Sequence, residues 1–197
     1  MTRYFCLLRT VNAPGQPKIS MPALRALFQQ LGYEKVQSHL RSGNLIFSTE
    51  TPKANHARVI EAGIEMQFDH KVPVVLIPDA RFTQLADTNP LLQGEGLDED
   101  DLHVTFLSAT VVEPIPEDIL PKARDEKAIL HLGHYCLYLH AGQESTRIHN
   151  DYFESTLKTP ATTRDWKTVL ALARLLEEQH APKSVVRRVQ LSGITRP

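Results

Sequence analysis

The sequence is poor in cysteine and in aromatic residues, and neither sign of charge is in excess. Its 197 residues include two Cys and one Trp, and 22 Lys and Arg nearly cancel 23 Asp and Glu. This balance excludes the overall basic surface that is typical of proteins working mainly on nucleic acid. The 42% hydrophobic content excludes a disordered or fibrous chain and allows a sizeable core.

Metal and nucleophile motifs are also missing. Cys6 and Cys136 lie far apart in apolar stretches, which excludes a zinc ribbon or a C-x-x-C redox pair and predicts two buried thiols. His131, His134 and His140 lie along one predicted hairpin without metal-ligand spacing, so we expect no metal site. No G-x-S-x-G elbow or cofactor motif is present, so the cofactor is unknown.

No apolar run is long enough to span a membrane; a typical one, 72–78, is far too short. The first residues read as a strand rather than as a signal peptide. We therefore expect a cytoplasmic protein with no membrane partner.

The apolar periodicity of the first 78 residues predicts a β-α-β-β-α-β order. Ser20 and Gly32 are the expected N-cap and terminating glycine of the first helix. This order is that of a ferredoxin-like antiparallel sheet with helices on one face. The predicted elements are a strand over 3–11, a helix from Ser20 to Gly32, a hairpin of 36–41 and 45–49, a helix over 53–69 and a strand over 72–77.

The second half partly repeats this pattern, so the predicted fold class is α+β with two linked subdomains. We expect a ferredoxin-like subdomain over 1–78, a smaller α+β unit with C-terminal helices over 79–180, and a basic tail over 181–197. The predicted elements are a helix over 80–88, a linker over 93–101, a strand over 102–108, a short helix among prolines 114–121, a hairpin of 128–132 and 135–140, helices over 146–157 and 165–179, and one strand in the tail over 185–191.

In this topology the β1–α1 loop and the β2–β3 turn leave the sheet at the same end. Basic side chains, glycines and a helix N-terminus would converge there and form a cradle for an anion. The alternative is a pair of ordinary turns with solvated basic neighbours. The candidate ligand-binding residues of this cradle are Arg9, Asn12, Gly15, Lys18, Arg41, Ser42, Gly43 and Asn44.

A second informative string, from Thr162 to Thr168, opens the last predicted helix. Arg164 and Trp166 are added to the candidate ligand-binding residues, since an arginine can contact phosphate and an indole can stack. The alternative for Trp166 is a buried anchor that docks the helix on the sheet, which is the commoner use of an aromatic side chain.

The order of these strings resembles the bacterial domain of unknown function family 1697. The resemblance is carried by Leu7–Gly15, by Met21 and Leu24-Arg25, by Arg41–Phe47, by Asn89-Pro90 and by Thr162–Thr168, so that it runs from about Arg3 to Leu176. Family members typically read LLRGINVGG, then M-x-x-L, then QSGNVVF, and later NP and T-x-RNW-x-T.

The resemblance implies two linked α+β subdomains, the first ferredoxin-like, and it implies no activity, cofactor or catalytic residue. Four positions depart from the family pattern: Thr10 and Pro14 replace glycines, Arg41 replaces Gln, and Asp165 replaces Asn. The two glycine replacements reduce backbone freedom in the loop of the cradle. Asp165 would repel an anion, whereas Arg41 adds a positive charge.

The leading functional hypothesis is therefore an uncharacterised protein that binds a small phosphate- or carboxylate-bearing ligand. One alternative is a protein-interaction or dimerisation module, which allows a homo-oligomer. Another, less favoured because no RNP consensus is present, is single-stranded nucleic-acid binding on an open sheet face through Tyr4 or Phe5 and Phe47. A third is an enzyme that uses His39 or His70 as an acid or base.

Overall fold

A computed structural model describes most of the chain. The described residues are 1–12, 14–15, 18–51, 55–93, 97–109, 129–132, 135–140 and 150–180. The predicted proline-rich helix near 114–121, the strand in the tail and the start of the helix predicted from 146 lie outside these residues.

Eight strands and five α-helices form the described architecture, which is mixed α+β as predicted. The strands are β1 (Thr2–Leu8), β2 (Glu34–His39), β3 (Asn44–Thr49), β4 (Val74–Pro78), β5 (Leu102–Leu107), β6 (Ile129–Leu132), β7 (Cys136–His140) and β8 (Ala161–Asp165). The helices are α1 (Met21–Gln30), α2 (His56–Phe68), α3 (Asp79–Asp87), α4 (Asn150–Leu157) and α5 (Trp166–His180), and short 3-10 turns cover Pro90–Gln93 and Glu99–Asp101.

Two antiparallel four-stranded sheets organise these elements. The first has the order β2-β3-β1-β4 and the second the order β6-β7-β5-β8. The first sheet with α1 and α2 confirms the ferredoxin-like order that periodicity predicted. The second predicted hairpin is also confirmed, since β6 pairs with β7. The division into subdomains at residue 78 stays a prediction.

Helix α1 begins and ends where its sequence signals indicate. The Ser20 hydroxyl accepts a hydrogen bond from the Ala23 amide, and Pro22 lies in the first turn. Leu24, Leu27 and Phe28 form its buried stripe. These side chains pack against one face of the first sheet in a core that also contains Cys6 and Leu8 of β1, confirming that the Cys6 thiol is buried.

The opposite face of the first sheet is covered by the second half of the chain. Phe5 stacks on Phe82 of α3 at a ring-centroid distance of 3.8 Å, and Phe82 stacks on Phe106 of β5 at 5.7 Å. Trp166 of α5 belongs to the same buried cluster. One continuous apolar core therefore joins the two sheets.

Both faces of the first sheet are packed, which bears on the hypothesis of base stacking on an open sheet face; nucleic-acid binding itself stays a prediction. Phe5 and Phe47 have no exposed surface, one on each face of the sheet. Tyr4 is half-buried and stacks on Phe47 at 5.6 Å. Bases cannot reach these rings without opening the core.

The sequence predicts that the string from Thr162 to Thr168 opens a helix. In the structure this string contains the end of a strand and the start of a helix that follows it directly. Residues Ala161–Asp165 form β8, an edge strand that pairs with β5. Helix α5 begins at Trp166. Strand β8 was missed because Arg and Asp within five residues hide its alternation.

Candidate functional site

The β1–α1 loop and the β2–β3 turn meet at the end of β1. The Leu8 amide donates to the Gly43 carbonyl at 2.8 Å. Farther along the loop, the Asn12 amide nitrogen donates to the Arg41 carbonyl at 2.9 Å. The two segments that topology predicted to converge are therefore in contact.

Asn12 uses its whole side chain to hold this contact. Its Nδ2 donates to the carbonyls of Ile19 and Arg41, both at 2.9 Å, and its Oδ1 accepts from the Ile19 amide at 2.9 Å. Its backbone is left-handed, with φ 60°. Asn12, a candidate ligand-binding residue, therefore acts as a bridge between loop and turn.

Gly43 is fixed by the same contact. Its φ is +76°, and a Cβ built on it would lie 2.7 Å from both the Leu8 Cβ and the Val11 Cγ2. Both distances are shorter than side-chain carbons tolerate, so the turn needs glycine at this position. Gly43 gives close packing between the turn and β1 rather than access for a ligand.

The side chain of Arg164, in β8, crosses the interface between the two sheets and hydrogen-bonds to the β2–β3 turn. Its Nε donates to the Asn44 Oδ1 at 2.6 Å. Its Nη2 donates to the carbonyls of Leu8 at 2.9 Å and Ser42 at 3.2 Å. Its Nη1 donates to Thr162 Oγ1 at 2.7 Å and to the Thr163 carbonyl at 2.8 Å. All five N–H donors of the guanidinium thus have acceptors within the protein.

Asn44, the first residue of β3, completes this clamp. It is fully buried, and its Nδ2 donates to Ser42 Oγ at 2.9 Å and to the His39 carbonyl at 3.2 Å. The amide therefore closes the turn on one side and accepts from Arg164 on the other. We call Arg164 and Asn44, with the carbonyls of Leu8 and Ser42, the Arg164 clamp.

The clamp holds a buried positive charge. Arg164 is 9% exposed, and burial lowers the pKa of its guanidinium to about 10, so the group stays protonated at neutral pH. Among the described residues no carboxylate lies within ion-pair distance of Arg164; carbonyl oxygens, the Asn44 amide oxygen and the Thr162 hydroxyl accept its hydrogen bonds instead. Arg164 therefore joins the two halves of the fold and leaves no donor for a ligand.

Arg9 is also engaged within the protein. Its Nε donates to Glu154 of α4 at 2.7 Å, and its Nη2 pairs with Asp151 of the same helix. The two carboxylates raise the pKa of Arg9 and offset its charge. Glu154 also accepts from the Ala161 amide at 2.8 Å, which ties the residue after β1 to α4 and to the start of β8.

Trp166 is packed in the core between the two sheets. Its side chain is 1% exposed and lies in the cluster that joins the two sheets. The N-terminus of α5 is occupied as well, because Asp165 accepts from the Thr168 amide at 2.6 Å and from the Thr168 hydroxyl at 3.0 Å. Arg164 and Trp166 are therefore packed within the protein, and their assignment as ligand-binding residues stays a prediction.

Four of the ten candidate residues remain at the surface. Lys18, Gly15, Arg41 and Ser42 are exposed, and the Lys18 ammonium donates to the Asn12 carbonyl at 3.3 Å. No carboxylate in the described part of the chain pairs with Arg41. We call these four residues the loop–turn surface; they retain the cationic and backbone groups that an anion would contact.

The described ranges also bear on the metal, thiol, histidine and membrane expectations. No three His, Cys, Asp or Glu side chains there lie close enough to hold a metal ion. Cys136 is buried as expected, and burial raises the pKa of its thiol to about 12. Among the described residues, none forms a hydrogen bond with the ring of His39 or His70. None of the described helices has the length and apolar character needed to cross a lipid bilayer.

The sequence alone does not indicate the two acidic partners of Arg9 or the carbonyl acceptors of Arg164. Asp151 and Glu154 lie more than a hundred residues from Arg9 along the chain. The only available signal was their spacing of three residues, which puts both carboxylates on one face of α4. Carbonyl acceptors carry no sequence signal at all.

Comparison with known proteins agrees with the fold and adds no activity. The model of a family described as "Protein of unknown function (DUF1697)" matches residues 1–138, so Thr162–Thr168 lies beyond the matched range. The structure is similar to that of the conserved bacterial protein SP0830 from Streptococcus pneumoniae, with a TM-score of 0.62 and 23% identity over 89% of this chain and 98% of that one. No curated protein matches the sequence.

Proposed function

The chain belongs to the DUF1697 family of proteins of unknown function, and we propose that it binds a small anionic ligand at the loop–turn surface. The ligand would carry a phosphate or carboxylate group, and binding would take place in the cytoplasm. Arg41 and Lys18 would supply charge, and the Ser42 hydroxyl and the exposed backbone at Gly15 would add hydrogen bonds.

The Asn12 bridge is the observation that carries this proposal. It ties the backbone of Arg41 to the loop that bears Lys18, through two bonds of 2.9 Å to Ile19 and one of the same length to Arg41. This contact thereby holds the two segments that carry Lys18 and Arg41 together. A fixed base reduces the ordering cost of binding, so a small anion gains more from the same charges.

The other two cations of the candidate set, Arg9 and Arg164, lie outside this narrower site. Both side chains donate hydrogen bonds to acceptors within the protein, so the proposed site has two positive charges rather than four. Exposed charge-assisted bonds are screened by salt, so affinity should fall as ionic strength rises.

A thermal-shift screen followed by calorimetric titration tests the proposal. The ligands are inorganic phosphate, nucleotides, phosphosugars and dicarboxylates at low salt, and the proteins are wild type, Arg41→Ala and Arg58→Ala. Arg58 is an exposed arginine of α2 and serves as the matched control. A ligand at a hundred times its Kd adds about 2.7 kcal/mol of stability.

We expect at least one ligand to stabilise the wild type and the Arg58→Ala variant, with the shift lost in Arg41→Ala. If no ligand in the set binds the wild type at low salt, the proposal is wrong. Equal binding by Arg41→Ala would place the site elsewhere and would also overturn it.

A further inference from the structure

Leu40, in the turn between β2 and β3, has a backbone conformation that leucine avoids. Its φ is 58°, in the left-handed region, and the residue is 56% exposed. In this region the Cβ of an L-residue lies too close to a carbonyl oxygen, so that Gly and, less readily, Asn and Asp are the usual occupants. Among the six described non-glycine residues with positive φ, Leu40 is the single apolar one.

Neither packing nor backbone preference accounts for leucine at position 40. Burial of the side chain could offset the cost of a left-handed backbone, but more than half of this residue faces solvent. Gly or Asn would adopt the same conformation with less strain. Residues held in such sparsely populated conformations concentrate at binding and catalytic sites. The identity of Leu40 therefore indicates a contact made outside the fold.

The carbonyls on both sides of Leu40 are held by side-chain amides. The His39 carbonyl accepts from Asn44 Nδ2 at 3.2 Å, and the Arg41 carbonyl accepts from Asn12 Nδ2 at 2.9 Å. Asn44 is itself fully buried. The backbone at Leu40 can therefore relax only if one of these bonds is lost, so the turn presents the leucine side chain from a fixed base.

Leu40 directly precedes the charge of the proposed anion site. Arg41 is exposed, and so is Pro14, which lies two residues beyond Asn12 in the β1–α1 loop. The bond from Asn12 to the Arg41 carbonyl joins the two segments that carry this cation and these two exposed apolar residues. A ligand with an anionic group alone would leave the apolar residues in contact with water.

Resting on the proposed function, we propose that the ligand of the loop–turn surface is an amphipathic anion, a carboxylate or phosphate bonded to a short alkyl or aryl group. Arg41 contacts the anionic group, and Leu40 contacts the apolar group. Small-molecule sites commonly combine apolar contacts with a few fixed polar groups in this way. One leucine side chain covers only a few methylenes, so the apolar group of the ligand is short.

An exposed apolar residue alone would not support this proposal, because such residues are common on protein surfaces. Met66 of α2 is an example, since it is 87% exposed but has an ordinary helical backbone. Leu40 differs because its exposure is combined with a strained backbone and an adjacent exposed cation. Met66 is therefore the matched control for Leu40.

The test is an NMR titration of the full ¹⁵N-labelled chain with acetate, butanoate and hexanoate at one ionic strength, each below its micelle concentration. Inorganic phosphate is the probe that has charge without an apolar group, and hexanamide is the probe that has the apolar group without charge. The proteins are the wild type, Leu40→Asn, Leu40→Gly and the control Met66→Gln.

We expect the Kd of the wild type to fall by up to about fourfold for each methylene that contacts Leu40. This gain should disappear in both Leu40 variants and persist in Met66→Gln, whereas phosphate should bind all four proteins equally. Leu40→Asn should also have a Tm at least as high as that of the wild type, because asparagine accepts a left-handed backbone more readily.

Equal affinity of the wild type for acetate and hexanoate would overturn the inference, as would a chain-length gain that survives in the Leu40 variants. Binding of hexanamide as tight as that of hexanoate would refute the charged half of the site. A Tm of Leu40→Asn well below that of the wild type would show that the leucine serves the fold, and would also overturn the inference.

The same titrations separate this inference from the proposal on which it rests. If phosphate and acetate bind but added methylenes bring no gain, the small-anion site stands and only the amphipathic ligand is refuted. If none of the anions shifts any amide signal of the loop–turn surface, both proposals are wrong.

Discussion

Replacing Arg164 should destabilise the protein strongly, because the residue makes five hydrogen bonds from a buried charge. Three of its acceptors, the carbonyls of Leu8 and Ser42 and the Oδ1 of Asn44, belong to the first sheet and its turn. A hydrogen bond to a charged group contributes about 1.5–3 kcal/mol, and burying a guanidinium costs several kcal/mol in return. We therefore expect Arg164→Ala to lower the free energy of unfolding by about 3 kcal/mol.

The geometry of the guanidinium, and not its charge alone, should account for this loss. A lysine keeps the charge but has one nitrogen, which cannot replace Nε, Nη1 and Nη2 together. Arg164→Lys should therefore lose nearly as much stability as Arg164→Ala. Arg174→Ala, an exposed arginine of α5, is the matched control and should change stability by less than about 0.5 kcal/mol.

A double-mutant cycle isolates the bond between Arg164 and Asn44. Asn44→Ala and Arg164→Ala should show a coupling energy of about 1–2 kcal/mol, since the atoms they remove lie 2.6 Å apart. Urea unfolding followed by the fluorescence of Trp166, the single tryptophan and 1% exposed, measures all four proteins. A loss below about 1 kcal/mol for Arg164→Ala, or a coupling energy near zero, would refute the clamp.

Three further predictions follow from the backbone and the buried thiols. Gly43→Ala should cost more stability than Gly15→Ala by about 2 kcal/mol, because both have φ near +75° but only Gly43 lacks room for a Cβ; equal Tm values would contradict this. Thr10→Gly should stabilise the protein by about 1 kcal/mol or less in urea unfolding, since Thr10 has φ 51° where family members have glycine; a lower midpoint would oppose it. Burial raises the pKa of the Cys136 thiol from 9.0 to about 12, so this thiol ionises first in the unfolded chain and the free energy of unfolding should fall from pH 9 upward. Cys136→Ala should reduce the slope of that fall by at most about 1.4 kcal/mol per pH unit. Identical slopes for the variant and the wild type would contradict the assignment.

The sequence predicted the parts of the fold that depend on local periodicity. Helix α1 followed from its apolar spacing and from the Ser20 cap, and both are present. The meeting of the β1–α1 loop with the β2–β3 turn followed from the element order alone, and the bond from Asn12 to the Arg41 carbonyl realises it. Such features depend on residues near in sequence or on topology.

What the sequence could not predict is which arginines are at the surface. Arg9, Arg41 and Arg164 are the same residue type in similar polar strings, yet only Arg41 is exposed. The difference arises from partners over a hundred residues away, such as Glu154 for Arg9 and Asn44 for Arg164. Strand β8 is not predicted for a related reason, because the buried Arg164 interrupts the alternation of apolar and polar residues that indicates a strand.

The separation of a buried Arg164 clamp from an exposed anion site is tested most directly by an NMR titration of ¹⁵N-labelled protein with inorganic phosphate and the best ligand of the thermal screen. We expect saturable shifts of the backbone amides of Gly15, Arg41 and Ser42, while the Nε–H signal of Arg164 stays unmoved and protected from exchange. Shifts centred on Arg164, or an Arg164 Nε–H that exchanges freely with water, would contradict the separation of a buried clamp from an exposed anion site.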